Sequence, residues 1–422
     1  MSRPPGAVAV TAAALLTPLA DDLDGFTAAL LAGRSAVTLP AAADDGAEPL
    51  AVAALDGFTV AGWAQRHLAD DPETAARLRK VAGRAALPAR TAACVALRAV
   101  RDSGLTRDQL AEGTALIVAG SNLALAHQAE TVIGHARNPG RLRASYALTH
   151  LDVDVVGTVG ELAGIHGEGW TLGGASASGT LALVQAARTI AAGWADRVLV
   201  VAPVAELSPV EAESFRRSSA MAHEQFRDEP ARMCRPFDRD RQGFVRGEAA
   251  AAVVLERPDA ARERGAEVLA EIIGHGQRLD ARRGTAPDAA GQAAAMRAAL
   301  STAGLTPDDI DYVNAHGTGS VLGDETEAAS VRQVFGSRTS YRVNSTKPLT
   351  GHGLAAAGLI EAVAVIGQLR AGAVHPNPNL EHAITDLPLV GRTAEPRPLR
   401  TALSNSFAFG GINASVVIRA QP

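Results

Sequence analysis

Segments with strand patterns and segments with helix patterns alternate along most of this chain, and that alternation restricts its fold more than any other feature. Short apolar runs bounded by glycine, such as Thr114 to Gly120, are typical of buried strands. Longer runs with apolar residues at three- and four-residue spacing, such as Ala89 to Ser103, are typical of helices. Because strands that alternate with helices form parallel sheets with helices on their faces, the sequence predicts an α/β fold.

The polar segment RPDAARERG separates two such stretches, and we predict two α/β halves at residues 1–258 and 259–422. Each half contains a glycine-led turn that opens an alanine-rich helix, GGASASGTLALVQAA in the first and LTGHGLAAAGLIEAV in the second. Alanine-rich helices resemble each other by chance, so this similarity is only a weak indication of internal duplication. Residues 40–88 and 120–150 lack a clear period and are expected to be irregular.

Composition excludes several classes of function. The net charge of −5 and the aromatic share of 4% argue against a nucleic-acid partner, which a basic surface would favour. No run of 18 apolar residues is present, so we expect no membrane span, and Ala7 to Thr11 resembles a first strand more than a signal peptide. Cys94 and Cys234 provide neither a disulfide framework nor zinc spacing, so we expect two buried cysteines in a cytoplasmic protein.

Three segments contain residue types that carry chemistry. Ser176 lies in a small-residue turn that enters a helix, where free N–H groups stabilise an anion, although a helix cap would also explain a serine there. His316 lies in a glycine-rich loop after a strand, and on its own it is more often structural. Lys347 and His352 lie near another helix start, where a cation would keep the imidazole neutral, although the lysine alone is typically paired with a surface acid.

Taken together, these segments resemble the β-ketoacyl synthases, the condensing enzymes of fatty acid and polyketide synthesis, over nearly the whole chain. VNAHGTGSVLGDETE is similar to the first histidine loop of that family, and NSTKPLTGHGLAAAG to its lysine and second histidine. NSFAFGGINASVVI is similar to the glycine-rich gate loop, and RPFDRDRQGFVRGEAAAAVVLE to a further family segment. ASASG stands at the place of the nucleophile turn. The resemblance implies a five-layered αβαβα thiolase fold built from two similar halves.

The resemblance also implies roles for individual residues. His316 and His352 would contact the thioester carbonyl of a malonyl group, and Ser176 stands at the nucleophile position. The other matched positions are Lys347, Asp324 and Glu327 in a supporting charge network, Phe409 and Gly410 in the gate and oxyanion hole, and Thr318 and Ser320 along the pantetheine arm. The substrate would arrive on an acyl carrier protein, the enzyme would be a homodimer, and neither a metal nor a bound cofactor is implied.

Ser176 departs from the family, which has a cysteine at that position. A thiolate at a helix start is a good nucleophile near neutral pH, whereas a serine hydroxyl needs a dedicated base. This combination of serine with both histidines resembles the decarboxylases of polyketide β-branching cassettes, which turn malonyl-carrier protein into acetyl-carrier protein. Three alternatives stay open: a serine-dependent acyltransferase, cyclase or hydrolase, a condensing synthase whose cysteine was changed to trap substrate, and a non-catalytic partner resembling a chain-length factor, which usually lacks the histidines.

Overall fold

The computed structural model describes residues 6–41 and 48–421 of the chain. The strands are β1 (Val8–Leu16), β2 (Val52–Ala53), β3 (Thr114–Ala119), β4 (Gly169–Leu172), β5 (Arg197–Ala202), β6 (Arg246–Gly247), β7 (Ala250–Glu256), β8 (Ala270–Leu279), β9 (Tyr312–Asn314), β10 (Arg342–Asn344), β11 (Ala373–Val374), β12 (Glu395–Pro396), β13 (Thr401–Ala408) and β14 (Ile412–Ala420). The helices are α1 (Leu23–Leu31), α2 (Val60–His67), α3 (Pro72–Ala82), α4 (Leu87–Ser103), α5 (Arg107–Ala111), α6 (Leu125–Arg137), α7 (Tyr146–Thr149), α8 (Val153–Ala163), α9 (Ser178–Ala191), α10 (Pro209–Arg217), α11 (Pro258–Glu263), α12 (Ala289–Ala303), α13 (Val321–Phe335), α14 (Lys347–Thr350) and α15 (Ala357–Ala371).

The longer strands form one mixed sheet in the order β10-β9-β13-β14-β8-β1-β7-β5-β3-β4. The sheet consists of two five-stranded parts with the same pairing pattern. In one part β4, β3 and β5 are parallel, and β7 pairs antiparallel with both β5 and β1. In the other part β10, β9 and β13 are parallel, and β14 pairs antiparallel with both β13 and β8. By this pattern β1 corresponds to β8, and β5 corresponds to β13. The parts meet where β1 runs antiparallel to β8, with Val8 opposite Ile272 and Val10 opposite Ala270.

The helices form three layers around the two parts of the sheet. The long helices α9 and α15 pack against each other in the centre and contact strands of both parts. Helix α4 covers β1, β5 and β7 on one outer side, while α12 covers β8 and β14 on the other and packs against α13. The fold is therefore the five-layered αβαβα arrangement expected from the sequence, with the two most buried helices between its halves.

The two central helices begin in turns of matching geometry, which we call the N-half turn (Gly173–Gly179) and the C-half turn (residues 352–358). Each turn contains a non-glycine residue in the left-handed region, Ala175 at φ 47° and Leu354 at φ 52°. Each also ends in a glycine at the helix contact. A Cβ on Gly179 would lie 2.4 Å from the main-chain nitrogen of Leu359, and one on Gly358 would lie 2.2 Å from Thr180 Oγ1. The helices can therefore cross closely only because these positions lack side chains.

The expectation that residues 40–88 and 120–150 are irregular is wrong for much of their length. The first segment contains α2 and α3, and the second contains α6 and α7. Thr59 and Asp71 cap α2 and α3 with side-chain oxygens, and Pro72 occupies the first turn of α3. These helices are mostly exposed: α2 and α3 bury three residues each, and α6 and α7 bury none. Part of the first segment, residues 42–47, lies outside the described residues.

Several smaller expectations can be compared with the structure. Cys94 and Cys234 are free and buried, as predicted. Residues Leu354–Ala371 are long and apolar enough to cross a membrane, with a mean hydropathy of 1.5, but 83% of that stretch is buried inside the protein. A core helix passes the same test, and this stretch is the central helix α15 with the turn before it. The division of the chain at residue 258 stays a prediction.

Candidate active site

Ser176 lies in the N-half turn, where the backbone changes direction and enters the central helix α9. Residues Ala175–Ala177 form a 3₁₀ turn that continues directly into α9. Ser178 stabilises this turn, since its Oγ donates to the main-chain oxygen of Ala175 at 2.7 Å and accepts from Gly174 N at 2.9 Å. Helix α9 begins without a side-chain cap, so neither serine acts as the helix cap, and the Ser176 side chain lines the cavity.

His352 and His316 come from the C-terminal half and lie beside Ser176. The Oγ atom of Ser176 is 2.9 Å from Nε2 of His352, within hydrogen-bond distance. The two imidazole rings are 5.5 Å apart between centroids and nearly perpendicular. Both rings are almost fully buried, with 9% exposure for His316 and 2% for His352. One serine and two imidazoles therefore meet at a single point between the two halves.

Both histidines are neutral at physiological pH. Burial lowers the pKa of His316 well below its usual range, and the nearby Lys347 and His352 act in the same direction. Burial also lowers the pKa of His352 well below its usual range, again with help from Lys347. A neutral imidazole carries one N–H, so each ring can donate one hydrogen bond to a developing negative charge without being an acid itself.

Nδ1 of His352 has no hydrogen-bond partner among residues 6–41 and 48–421, and the same holds for Nδ1 of His316. In a serine-histidine nucleophile, a carboxylate or carbonyl on Nδ1 orients the base and stabilises the imidazolium. Ser176 therefore contacts an imidazole that lacks this support and whose pKa is low. The geometry favours hydrogen-bond donation by His352 over proton abstraction from the serine.

Glu327 and Asp324 hold the histidine loop through its main chain. Glu327 accepts from His316 N at 2.8 Å and from Gly317 N at 2.7 Å. Asp324 accepts from Gly319 N at 3.1 Å and from Phe237 N at 2.7 Å. Burial raises the pKa of Glu327 to about 7 and that of Asp324 to about 6, against the opposite effect of these N–H donors. These carboxyl groups fix the main chain of the loop from which the His316 ring projects.

Lys347 is buried behind the histidines and does not line the cavity. Its Nζ donates to the main-chain oxygen of His316 and to Glu361 on the central helix α15. Both side chains of the Lys347–Glu361 pair are at most 2% exposed. The lysine is therefore not paired with a surface acid, and it ties the histidine loop to the centre of the fold.

The site opens into a cavity of about 480 Å³. Ser176, His316 and His352 line it, together with the histidine-loop residues Thr318, Ser320, Asp324 and Glu327. The hydroxyl of Thr318 donates to Ser320 Oγ at 3.0 Å, so the two predicted pantetheine contacts are adjacent at the cavity wall. A cavity of this size, lined by both apolar and polar side chains around a central pair of imidazoles, suits a small acyl ligand on an extended arm.

Aromatic rings form another wall of this cavity. Phe409 is 42% exposed, and its ring centroid lies 6.3 Å from that of Phe215. The ring centroid of Phe215 lies 5.7 Å from that of Phe244. Phe244 meets the His352 ring edge to face at 5.2 Å. Gly410 adopts φ 83°, which favours glycine, and its N–H donates to Gly284 O at 2.9 Å. The exposed Phe409 is thus linked by ring contacts to His352.

Nearly all the residues singled out in the sequence lie in or beside this cavity, and Lys347 and Gly410 are the two that do not line it. Three contributors were missed: Glu361, Phe215 and Phe244. Phe244 lies within RPFDRDRQGFVRGEA, so the motif itself could have suggested it. Glu361 and Phe215 lie in ordinary helical patterns, and nothing in the sequence distinguishes them.

Comparisons with known proteins place the chain in a family. The family models described as "Beta-ketoacyl synthase, N-terminal domain" and "Beta-ketoacyl synthase, C-terminal domain" match residues 6–261 and 269–381. A Bacillus subtilis (strain 168) protein named "Polyketide biosynthesis malonyl-ACP decarboxylase PksF" is 38% identical over 306 residues, which are 72% of this chain and 73% of that protein. The chain therefore belongs to the β-ketoacyl synthase family and is an enzyme of that family.

Solved structures agree with this assignment. A β-ketoacyl synthase from Burkholderia phymatum STM815 matches with a TM-score of 0.86 and 30% identity over all of both chains. The ishigamide ketosynthase/chain length factor matches with a TM-score of 0.86 and 27% identity, also over all of both chains. The architecture derived above from strand order and helix layers is thus the thiolase fold of the ketosynthases.

Proposed function

We propose that this enzyme removes carbon dioxide from the malonyl group of malonyl-acyl carrier protein, in polyketide synthesis, and leaves acetyl-acyl carrier protein. The observation that carries the proposal is the pair of buried, neutral histidines beside a serine whose histidine partner has no supporting acid in the described part of the chain. The name of the Bacillus subtilis relative supports the same reaction.

The two imidazoles stabilise the charge that develops during decarboxylation. With the thioester oxygen between His316 and His352, the bond between the α-carbon and the carboxylate carbon breaks, and its electron pair moves into an enolate. The negative charge then lies on the thioester oxygen, where the two N–H groups donate to it. The α-carbon takes up a proton that originates from water, and acetyl-carrier protein and carbon dioxide leave.

Ser176 explains why the enolate is protonated instead of condensed. Condensation needs an acyl group held on the enzyme as an electrophile, and the family loads that group on a thiolate. A serine hydroxyl beside a weakly basic imidazole does not load it at a comparable rate. The enolate therefore has no acyl partner, and protonation completes the reaction.

Serine-dependent acyl transfer is the second candidate, and the 2.9 Å contact between Ser176 Oγ and His352 Nε2 is the observation that favours it. In that reaction His352 would take the hydroxyl proton and an acyl-serine would form. The buried Nδ1 of His352, which has no partner in the described part of the chain, counts against it.

The proposal includes an acyl carrier protein as partner and a homodimer as the assembled form. Thr318 and Ser320 offer hydroxyl groups along the cavity wall for the pantetheine arm. A second copy would cover β4, which has a partly exposed outer edge, and the apolar residues on α6 and α8 beyond it. The most exposed of these are Val132 at 63%, Val153 at 54% and Ile133 at 51%.

Incubation with malonyl-carrier protein, followed by intact mass measurement of both proteins, tests the proposal. We expect the carrier to lose the mass of carbon dioxide while the enzyme stays unmodified. An acyl adduct on Ser176 that forms at the turnover rate would instead establish the acyltransferase. Light scattering of the purified enzyme tests the dimer in the same preparation.

A further inference from the structure

Gln292 is a polar residue in the wall of the active-site cavity that belongs to none of the family-like motifs. It lies in the first turn of α12 and is 1% exposed. It lines the same cavity as Ser176 and His316. Glutamine is seldom buried to this extent without a reason, because its amide must keep its hydrogen bonds.

One end of the Gln292 amide is fixed by α13. Its Oε1 accepts from Ser330 Oγ at 2.9 Å. Ser330 Oγ also donates to the main-chain oxygen of Glu327 at 2.8 Å, so its single proton is shared between that oxygen and the Gln292 amide. Nε2 of Gln292 makes no hydrogen bond to any residue in the described ranges 6–41 and 48–421, and its two N–H donors are left to the cavity.

The same helix also holds the main chain of His316. Ser330 holds the amide, and Glu327, one turn earlier on α13, accepts from His316 N at 2.8 Å. The Gln292 amide and the backbone of His316 are therefore both bound to one helix. A ligand whose oxygen contacts His316 therefore lies in the cavity that Gln292 also lines.

We infer that Gln292 binds the malonyl carboxylate through Nε2 and so selects malonyl over acyl groups that lack a carboxylate. This inference rests on the proposed decarboxylation and adds the residue that recognises the leaving group. Asn413, another amide in the cavity wall, is already engaged, since its Nδ2 donates to Asp280 at 2.6 Å. Asn122 also lines the cavity but is exposed, so Gln292 is the buried amide of this wall whose donors have no partner in the described part of the chain.

A neutral amide suits a carboxylate that must lose its charge. Decarboxylation moves the negative charge from the carboxylate to the thioester oxygen, so a cation at the carboxylate would stabilise the reactant more than the transition state. An amide orients the carboxylate with less opposition to the departure of carbon dioxide. The acids nearby are already paired, Asp280 with Asn413 and Glu327 with two main-chain N–H groups, and the start of α12 favours an anion.

The test compares Gln292→Glu with the wild type, with Gln333→Glu as the matched control. Glutamate keeps the size of the side chain and places a carboxylate against the malonyl group, while Gln333 is an exposed residue of the neighbouring helix α13. Binding is measured with an amide analogue of malonyl-pantetheine, which does not decarboxylate readily, and with acetyl-pantetheine. Loss of one hydrogen bond to a charged group corresponds to about a tenfold or larger increase in Kd. We expect that increase for the malonyl analogue alone, and no change in the control.

Equal weakening of both ligands would overturn the inference, because it would show a structural role for Gln292. Unchanged binding of the malonyl analogue would overturn it as well. Should circular dichroism show that Gln292→Glu does not fold, Gln292→Met replaces it, since methionine keeps the volume and removes the donors. The ratio of the Kd for the malonyl analogue to the Kd for acetyl-pantetheine is then compared with that of the wild type. Failure of the wild type to release carbon dioxide from malonyl-carrier protein would refute the proposed function instead, and the binding ratio would still report on Gln292.

Discussion

The N-half and C-half turns share one backbone geometry but carry different side chains. Ala175 and Leu354 adopt the same left-handed conformation, and each turn runs through a 3₁₀ segment into a central helix. At the position of Ser176 the C-half turn has Ala355, and at the position of His352 the N-half turn has Gly173. The repeated backbone thus provides two equivalent helix starts, while single side chains decide which one carries the hydroxyl and which the imidazole.

Removal of the charge behind the C-half turn should have the largest effect. Lys347→Met leaves Glu361 as an unpaired charge in the protein interior, and breaking a buried pair in this way costs about 3–5 kcal/mol of the free energy of unfolding. Urea unfolding measures the loss. The exposed Lys80 gives the control Lys80→Met, and Lys347→Met combined with Glu361→Gln should recover part of the stability. A single variant as stable as the control would contradict the pairing.

The next largest effect is expected on the rate of decarboxylation when either histidine is removed. Loss of one donor to a developing oxyanion typically lowers the rate about 100- to 1000-fold, so His316→Ala and His352→Ala should each fall by that factor. Carbon dioxide release from malonyl-carrier protein measures the rate, and circular dichroism verifies that both variants are folded. Near-normal turnover in either variant would remove that histidine from the mechanism.

The helix crossing that both turns depend on can be tested with one methyl group. In Gly179→Ala the new Cβ would lie 2.4 Å from the Leu359 nitrogen, and overpacking of this kind costs about 1–3 kcal/mol. Gly157 on α8 has nothing within 4 Å of such a Cβ, so Gly157→Ala should instead gain up to about 1 kcal/mol from helix propensity. Thermal unfolding of the two variants should therefore shift in opposite directions.

A cysteine introduced into each turn tests whether the helix start alone is enough to lower the pKa of a thiol and make it reactive. Ser176→Cys has His352 beside it as well as the start of α9, and we expect a lowered thiol pKa and alkylation about tenfold faster near neutral pH than for an ordinary thiol. Ala355→Cys has the equivalent helix start and should react more slowly. Cys94 and Cys234 do not interfere, since burial raises their pKa, to about 12 for Cys234. Equal rates of reaction with iodoacetamide would show that the turn geometry suffices.

The smallest effect is expected for Ser176→Ala. If charge stabilisation by the histidines accounts for the decarboxylation, loss of the hydroxyl should change turnover by no more than about twofold. Release of carbon dioxide by this variant, compared with the wild type at saturating substrate, is the measurement. A large loss would show that the N-half turn takes part in the chemistry.

The sequence predicted the parts of this molecule that are encoded by repeating local pattern or by long motifs. The central helices, the sheet strands and the two histidines belong to this group, because each is encoded by a pattern of consecutive residues, such as an apolar run or a glycine-rich motif. The helices within residues 40–88 and 120–150 were missed because few of their residues are buried, and the capping residues Thr59 and Asp71 that mark the starts of α2 and α3 were not used.

Contacts between distant segments could not be predicted in the same way. Glu361 pairs with Lys347 and Gln292 with Ser330 only because separate helices are brought together by the sheet. Neither Glu361 nor Gln292 differs in its local sequence from a solvent-exposed helix residue. The sequence ASASG likewise does not show that Ser178 bonds within the turn while Ser176 contacts His352, since this depends on the direction of each hydroxyl.

The connection between β7 and β8 gives the fold a natural place to be divided. A chain cut between Glu256 and Ala270 would leave Ser176 and the aromatic residues Phe215 and Phe244 on one fragment, and both histidines on the other. Neither fragment would contain a whole cavity, and the glycine contacts of the central helices would form only when the two associate. Activity of such a split enzyme would therefore require association of the two fragments, so that carbon dioxide release would measure their association.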